Sequence, residues 1–278
     1  MTKRKNTVIK AVCLILLTAG LAGMIKTGLS YHKGDVDYAE AMELAKVPKL
    51  EAGNSEKGQG QGTQGGDMRE SEETDPYMLS LAGIDLDALR ENNSQVTGWI
   101  AIPDSQVSYP LVQGEDNSYY LNRTWKRERS SVGAIFLECQ VNRDLSDFNT
   151  IIYGHKMRNG SMFGGLNNYS SREYWEAHPC IYIADGNGVY RYRIYAAYET
   201  GVREITYRLN ITESEKKEEF IRFGIEHSLI DTGVKPGTED KVVTLSTCTG
   251  NGYSTRWVVQ AVRELQVTVH PLANHRAD

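Results

Sequence analysis

Between Gly53 and Gly66 the chain carries six glycines among Gln, Ser, Asn and other polar residues, and no apolar side chain. Asp67 to Asp75 follows with five acids against Arg69. Such a stretch cannot bury enough surface to offset its backbone entropy, so it predicts a flexible linker. The linker partitions everything else. It leaves an N-terminal segment (1–30), a juxtamembrane helix plus linker (31–76) and a C-terminal part (77–278) long enough for one domain with its own core.

The N-terminal segment opens Met1-Thr-Lys-Arg-Lys5 and continues into an apolar run from Thr7 to Ile25, 19 residues broken by Lys10. About 20 apolar residues span a bilayer, and a lysine near the end can snorkel to the interface. The basic end should stay cytoplasmic, which places everything after Lys26 outside. A cleaved signal peptide is the competing reading, because Ala19 to Gly23 offers small residues. No strong A-x-A site follows, which favours a retained single-pass anchor. Tyr38 to Lys46 reads as a short helix that stops before Pro48.

After the linker, strand signals dominate. Short apolar runs bounded by turn residues occur at 99–102, 107–112, 132–137, 150–153, 181–183, 189–195, 242–247 and 257–262. Tyr outnumbers Phe, 16 to 5, which suits half-buried strands. Eight strands at irregular spacing favour a sandwich or barrel over a βαβ fold. Helices are expected at 85–91, 171–177 and 213–229. The last opens with Thr212-x-x-Glu215, a capping-box pattern, and shows an apolar face of Phe220, Ile221, Phe223, Ile225 and Leu229. With 31 basic against 36 acidic residues and a net charge of −5, the chain lacks the basic stripe of a nucleic-acid binder.

Cys13, Cys139, Cys180 and Cys248 are scattered without a C-x-x-C pair, which argues against a zinc ribbon or a disulfide scaffold. Cys139 and Cys180 are read as unpaired. Cys248 ends the run Lys241-Val-Val-Thr-Leu-Ser-Thr-Cys248, and Arg256 begins the next strand eight residues later. That spacing suits a hairpin that brings a thiol and a guanidinium to one rim. Alone, such a cysteine is more often a small buried hydrophobe. His155 closes another strand, Asn149-Thr-Ile-Ile-Tyr-Gly-His155, so three residue types fall at strand ends. Together they suit acyl transfer: a thiolate attacks a carbonyl, an imidazole moves protons, and a fixed cation stabilises the oxyanion. His178 is read as exposed, and His32, His227, His270 and His275 as structural or surface residues.

At these residues the chain resembles the sortases. The segment Thr244-Leu-Ser-Thr-Cys248 with Arg256 downstream and Tyr153-Gly-His155 upstream carries the likeness. The class B branch is indicated by Asn149-Thr-Ile-Ile-Tyr-Gly-His-Lys-Met-Arg-Asn-Gly-Ser-Met-Phe-Gly-Gly-Leu166. Gly98-Trp-Ile-Ala-Ile-Pro103, Asp116-Asn-Ser-Tyr-Tyr-Leu121 and Gly133-Ala-Ile-Phe-Leu137 also fit it. The resemblance covers roughly residues 77 to 270. It implies a mainly β fold: a closed eight-stranded sortase-type barrel with N-terminal helices and a long helix before the cysteine strand.

The resemblance further implies a membrane-anchored cysteine transpeptidase of the Gram-positive cell surface. Such an enzyme cuts a C-terminal sorting signal of a secreted surface protein after Thr. It holds the product as a thioester on Cys248 and passes it to a peptidoglycan precursor amine or a pilin lysine. By carry-over, His155 is the general acid/base and Arg256 the oxyanion or substrate clamp. Asn117, Tyr153, Ser246 and Thr247 occupy motif positions that line the family's substrate groove. Class A members bind calcium through an acidic loop and no comparable requirement attaches to class B, so no metal and no cofactor are expected. One departure stands out: Thr249 to Thr255 carries no acid where some members have one, and its glycines suggest a mobile loop. A cysteine endopeptidase without transfer, or a tethered cell-wall-binding β-domain with Cys248 in its core, remain the rival readings.

Overall fold

The computed structural model describes residues 31–48, 75–249 and 254–268, together with residues 16, 18, 20, 21, 28 and 29. The expected membrane anchor lies almost wholly outside the described residues, as do the glycine-rich linker and most of the loop between Cys248 and Arg256. Among the described residues no helix is long and apolar enough to cross a membrane.

Eight strands form the barrel: β1 (Val96–Ala101), β2 (Ser108–Val112), β3 (Ile135–Leu137), β4 (Asn149–Tyr153), β5 (Cys180–Asp185), β6 (Gly188–Gly201), β7 (Val242–Cys248) and β8 (Thr255–Thr268). They close in the order β1-β2-β3-β4-β7-β8-β6-β5. The pairs β2–β3 and β4–β7 run parallel and the other six antiparallel. Each expected strand is present. β6 and β8 run much longer than their apolar cores suggest because they pair along their whole length, with two irregularities in register. Charged residues such as Arg191, Arg193 and Glu264 on these strands meet as ion pairs and mask the alternation.

Among the described residues five α-helices pack around the barrel. α1 runs through 31–44, followed by α2 (Pro76–Leu81), α3 (Leu86–Asn92), α4 (Arg172–Ala177) and α5 (Ser214–His227). The helix expected within the tether is α1, and it packs into the main core through Tyr38 and Ala41, with Ala45 in the turn just after it. Its backbone and side chains grip the segment ahead of β3: Trp125 Nε1 donates to the Asp37 carbonyl at 2.9 Å, and Tyr38 OH to the Gly133 carbonyl at 2.6 Å. Sequence reading missed α2, although Asp75-Pro76 is a start signal with Pro at the first turn. The Asp75 carboxylate caps Tyr77 and Met78 and accepts from Arg191 Nη1 at 2.9 Å and Tyr182 OH at 2.8 Å. Burial alone would raise that carboxyl, but the bonds from Arg191, Tyr182 and the helix backbone hold it below its ordinary value.

α5 lies over β6, β7 and β8, and a second apolar cluster fills the space beneath it, including Phe148, Tyr195, Tyr198, Phe220, Ile221, Val258 and Val262. Phe148 and Phe220 meet edge to face at 5.5 Å. The expected apolar face of α5 needs correction: Phe220 and Ile221 are buried, but Ile225 is 42 % and Leu229 63 % exposed. Nor does the capping box form. The cap residue is Glu213, whose side chain takes no helix N–H and instead accepts from Lys216 Nζ at 2.8 Å.

Candidate active site

Register brings the three chemical residues level. β7 and β8 pair Cys248 directly with Arg256, as a hairpin of that spacing requires. β4 and β7 run parallel with Tyr153 opposite Ser246, and Gly154 N donates to the Ser246 carbonyl at 3.2 Å. β4 ends at Tyr153, so His155 lies two residues past the strand rather than closing it; the same register continued over those two residues leads from His155 to Cys248. Alternation supplies the second condition. His155 shares a face with Asn149 and Tyr153, Cys248 with Thr244 and Ser246, and Arg256 with Val258 and Gln260. Further down the same strands this face is covered by α5, which approaches Gln260, and by the segment 206–208, which takes Asn149. Continued past the end of β4, this alternation and register align imidazole, thiol and guanidinium at the ends of three neighbouring strands.

All three side chains are half-buried. His155 Nε2 donates to the Leu121 carbonyl at 2.5 Å. A carbonyl can only accept, so Nε2 carries the hydrogen and Nδ1 is left to take or give a proton. Beneath the ring lies Gly133, held at φ +67°. A Cβ there would come within 2.7 Å of His155 Cδ2 and 2.9 Å of the Tyr120 and Leu121 carbonyls. No other residue fits that floor without moving the imidazole. Lys156 reaches across to the Thr249 carbonyl at 3.0 Å and ties the histidine loop to the residue after Cys248. Arg256 Nη1 donates to its neighbour's carbonyl, Thr255 O, at 2.8 Å.

The residues expected in a groove divide into two kinds. Asn117 and Tyr153 are half-buried, and both point hydrogen-bond donors at Glu138: Asn117 Nδ2 at 2.6 Å and Tyr153 OH at 2.9 Å. Burial, and next the Glu138 charge, push the Tyr153 hydroxyl far above the usual tyrosine range. Ser246 and Thr247 are only 1 % and 2 % exposed. Ser246 Oγ meets Tyr207 OH at 2.8 Å, while Thr247 Oγ1 is buried without a partner. Burial is the main reason that the Tyr207 hydroxyl is pushed up to about 12, with Arg256 and Cys248 acting on it in opposite directions.

Four positions around the row escaped sequence reading. Glu138 follows an apolar strand, and an acid at a strand end is unremarkable without its partners. Leu121 acts through a backbone carbonyl, which no side-chain motif reports. Gly133 sits in a quoted motif, where its glycine could have flagged a special backbone. Tyr207 belongs to a 3-10 turn, Ile205–Tyr207, that nothing in the pattern announces.

Cys139, Cys180 and Cys248 are free thiols. Cys139 donates to Glu138 Oε1 at 3.3 Å, and burial together with that carboxylate pushes its thiol up. His178, expected to be exposed, is half-buried: Nδ1 meets the Pro103 carbonyl at 2.9 Å and the ring packs on Tyr174. Pro103 and α4 approach there, which a one-dimensional pattern does not reveal. Among the described residues no group of three or more His, Cys, Asp or Glu side chains is placed to hold a metal ion.

Known proteins place this arrangement in a family. A sortase B of Listeria monocytogenes is 34 % identical over 160 residues, covering 58 % of this chain and 65 % of the relative. The chain thus spans just under two thirds of that relative's length. A solved structure described as a Staphylococcus aureus sortase B–substrate complex superimposes with a TM-score of 0.62 at 28 % identity, covering 65 % of this chain and 84 % of that one. A Bacillus anthracis sortase B gives 0.66 at 27 % identity, covering 84 % of this chain and 98 % of the other. The family model described as the sortase domain matches residues 100–264, a span that takes in His155, Cys248 and Arg256; the chain belongs to the sortase family.

Proposed function

We propose that this chain is a cysteine transpeptidase of class B type that moves a secreted protein from its C-terminal sorting signal to an amine. The observation that carries the reading is the register, which pairs Cys248 with Arg256 and runs β4 parallel to the cysteine strand up to Tyr153, two residues short of His155. In this mechanism Cys248 gives its proton to His155 Nδ1, and the thiolate attacks the carbonyl of the signal's Thr. Arg256 offers its fork of donors to the oxyanion. The tetrahedral adduct collapses as the C–N bond breaks, and His155 returns the proton to the departing amine. The thioester then meets an acceptor amine. His155 takes a proton from the attacking nitrogen, a new amide forms, and the Cys248 thiolate leaves and regains a proton. Of the four motif residues, Asn117 and Tyr153 are open enough to border the path along which the signal would lie, while Ser246 and Thr247, almost wholly buried, would support it from beneath.

The cell-surface setting belongs to the same proposal. It is supported by the basic start, the 19-residue apolar run from Thr7 to Ile25 and the glycine-rich stretch that would let the domain reach clients beyond the membrane. The acceptor would be a peptidoglycan precursor amine or a pilin lysine.

The full chain mixed with C-terminal sorting peptides and an amine should yield an acyl adduct on Cys248 by mass spectrometry, then a product whose new C-terminus carries the amine. Cleavage without amine incorporation would make the chain an endopeptidase. No adduct with any peptide, combined with an unreactive Cys248 thiol, would leave only a binding domain.

A further inference from the structure

Glu138 lies just beyond β3, two strands from Cys248, and nothing in the acyl-transfer scheme requires it. It is nonetheless only 5 % exposed and receives four donors. Oε2 accepts from Asn117 Nδ2 at 2.6 Å and from Tyr153 OH at 2.9 Å. Oε1 accepts from the Cys139 thiol at 3.3 Å and from the Gln140 amide at 3.4 Å. An ionised carboxylate is an acceptor only, with about four lone-pair directions, and here all are used. Burying such a group is costly unless its bonds are made, so the cluster is held or lost as a unit.

Two arms lead from this carboxylate to His155. The first is along β4: Tyr153 is fixed by its hydroxyl, and His155 follows two residues later through Gly154. The second is through the loop before β3. Asn117 donates to Glu138 and accepts from the Cys139 amide at 2.8 Å, which clamps the start of the segment that continues as the 3-10 turn Tyr119–Asn122. That turn presents the Leu121 carbonyl to His155 Nε2. One arm therefore sets where the imidazole is, and the other sets which of its nitrogens carries hydrogen.

We infer that Glu138 is a positioning residue that fixes the place and tautomer of His155 through Tyr153 and Asn117. This rests on the proposed role of His155 as the proton carrier. A glutamine at this site would turn an NH2 towards donors on one side or the other. It would therefore break at least one pair of bonds while keeping the volume.

The test uses the full chain in detergent micelles, labelled with 15N-histidine, with the His155 signals assigned by their loss in His155→Gln. In the native chain Nε2 should report a bound hydrogen and Nδ1 a free lone pair. Glu138→Gln should move both signals towards a mixture of tautomers, and should lower kcat for peptide transfer about tenfold to a hundredfold, the scale of a slightly misplaced catalytic group. The pH profile of kcat should shift as well. Glu138→Asp, which keeps the charge on a shorter stem, should restore part of both. Native His155 signals in Glu138→Gln would overturn the inference, as would a rise in KM with an unchanged kcat and pH profile. If Glu138→Gln does not fold, Tyr153→Phe and Asn117→Ala each cut one arm. Each should shift the same signals by less, and a failure of both to do so would also overturn it. A native chain that transfers no peptide would defeat the transpeptidase reading, while the imidazole signals would still decide the role of Glu138.

Discussion

Strands β4, β7 and β8 carry two polar rows on one face, and the rows have opposite characters. The covered row is Asn149, Thr244 and Gln260, 3 % exposed or less. Thr244 donates to Asn149 at 2.8 Å, Gln260 to Thr244 at 3.2 Å, and Asn149 Nδ2 to the Thr206 and Arg208 carbonyls at 3.2 Å. The Tyr195 and Tyr198 hydroxyls close the network on Gln260 Oε1 at 2.9 and 3.0 Å. Every member is neutral and satisfied within the protein, and α5 passes so close that a Cβ on Gly224 would lie 2.2 Å from Gln260 Oε1. The second row, His155, Cys248 and Arg256, sits at the strand ends, half-open, and holds groups that can change charge. A closed neutral network binds a helix to a barrel, whereas a part-open ionisable one can exchange protons with a substrate. The same strands supply both, and the difference lies in the cover, which α5 provides at Gln260 and the segment 206–208 at Asn149.

If this contrast is right, agents acting on the covered row should cost stability and spare chemistry. The largest such effect is alkaline. Burial holds the Tyr195 and Tyr198 hydroxyls of the row above the ordinary tyrosine value, and Tyr192, outside the row and bonded to Arg263, is pushed up to about 12. In the unfolded chain these groups ionise near 10, so between pH about 10 and about 12 the unfolded state binds fewer protons. Stability present below pH 10 is therefore lost as pH rises through that window, by about 3 kcal/mol for a buried tyrosine moved this far. Denaturant midpoints recorded alongside tyrosinate absorbance should fall together there. Midpoints that stay flat to pH 12 would show the network to be looser than drawn.

Next in size is Gln260→Ala. It leaves the Tyr195, Tyr198 and Thr244 hydroxyls short of partners beneath α5 and should cost about 3 kcal/mol. Thermal unfolding should register this as a drop of roughly 6–12 °C for a domain of this size. The transfer rate of the folded fraction should remain native. A lost rate in folded Gln260→Ala protein would break the separation between the rows.

On the open row the matching change is Gly133→Ala. Its φ of +67° disfavours a side chain, and the added methyl would press on His155 Cδ2 and on two carbonyls. We expect kcat to fall about tenfold to a hundredfold, with only a modest loss in melting temperature. Single-turnover acylation measures the first and calorimetry the second. The reverse ranking would mean that Gly133 supports the fold rather than the imidazole.

How much of this was legible in the sequence follows the same division. Strand ends report themselves, because a run of β-branched residues stops at glycine or a polar loop, and so His155, Cys248 and Arg256 could be placed at a rim before any coordinates. The hairpin spacing even implied the Cys248–Arg256 pairing. That β4 runs beside β7 was not legible without the resemblance, since the two are separated by 88 residues that include β5, β6 and α5. Contacts made through backbone, such as Leu121 to His155, leave no mark on residue choice. Glu138 and Tyr207 are ordinary in sequence and become significant only through partners brought near by the barrel. The exposed Ile225 and Leu229 show the opposite failure: helical periodicity marks a face, but the extent of the surface beneath it decides how much of that face is covered.

The smallest predicted effect tests whether the open row is confined to the barrel. Tyr38 of α1 stands 95 residues before Gly133, yet its hydroxyl donates to the Gly133 carbonyl at 2.6 Å in a buried contact. Its ring also meets Tyr109 edge-on at 5.1 Å. Tyr38→Phe keeps the ring and removes only the donor, which should cost about 1 kcal/mol. Were α1 mere packing, the transfer rate would be native at every temperature at which the protein stays folded. Since Gly133 is the floor under His155, a small further loss, about twofold in kcat with KM unchanged, is expected instead. A helix on the far side of the glycine-rich stretch from the barrel would then share in placing the imidazole. Any shift of that helix would consequently be felt at the imidazole through the Gly133 carbonyl.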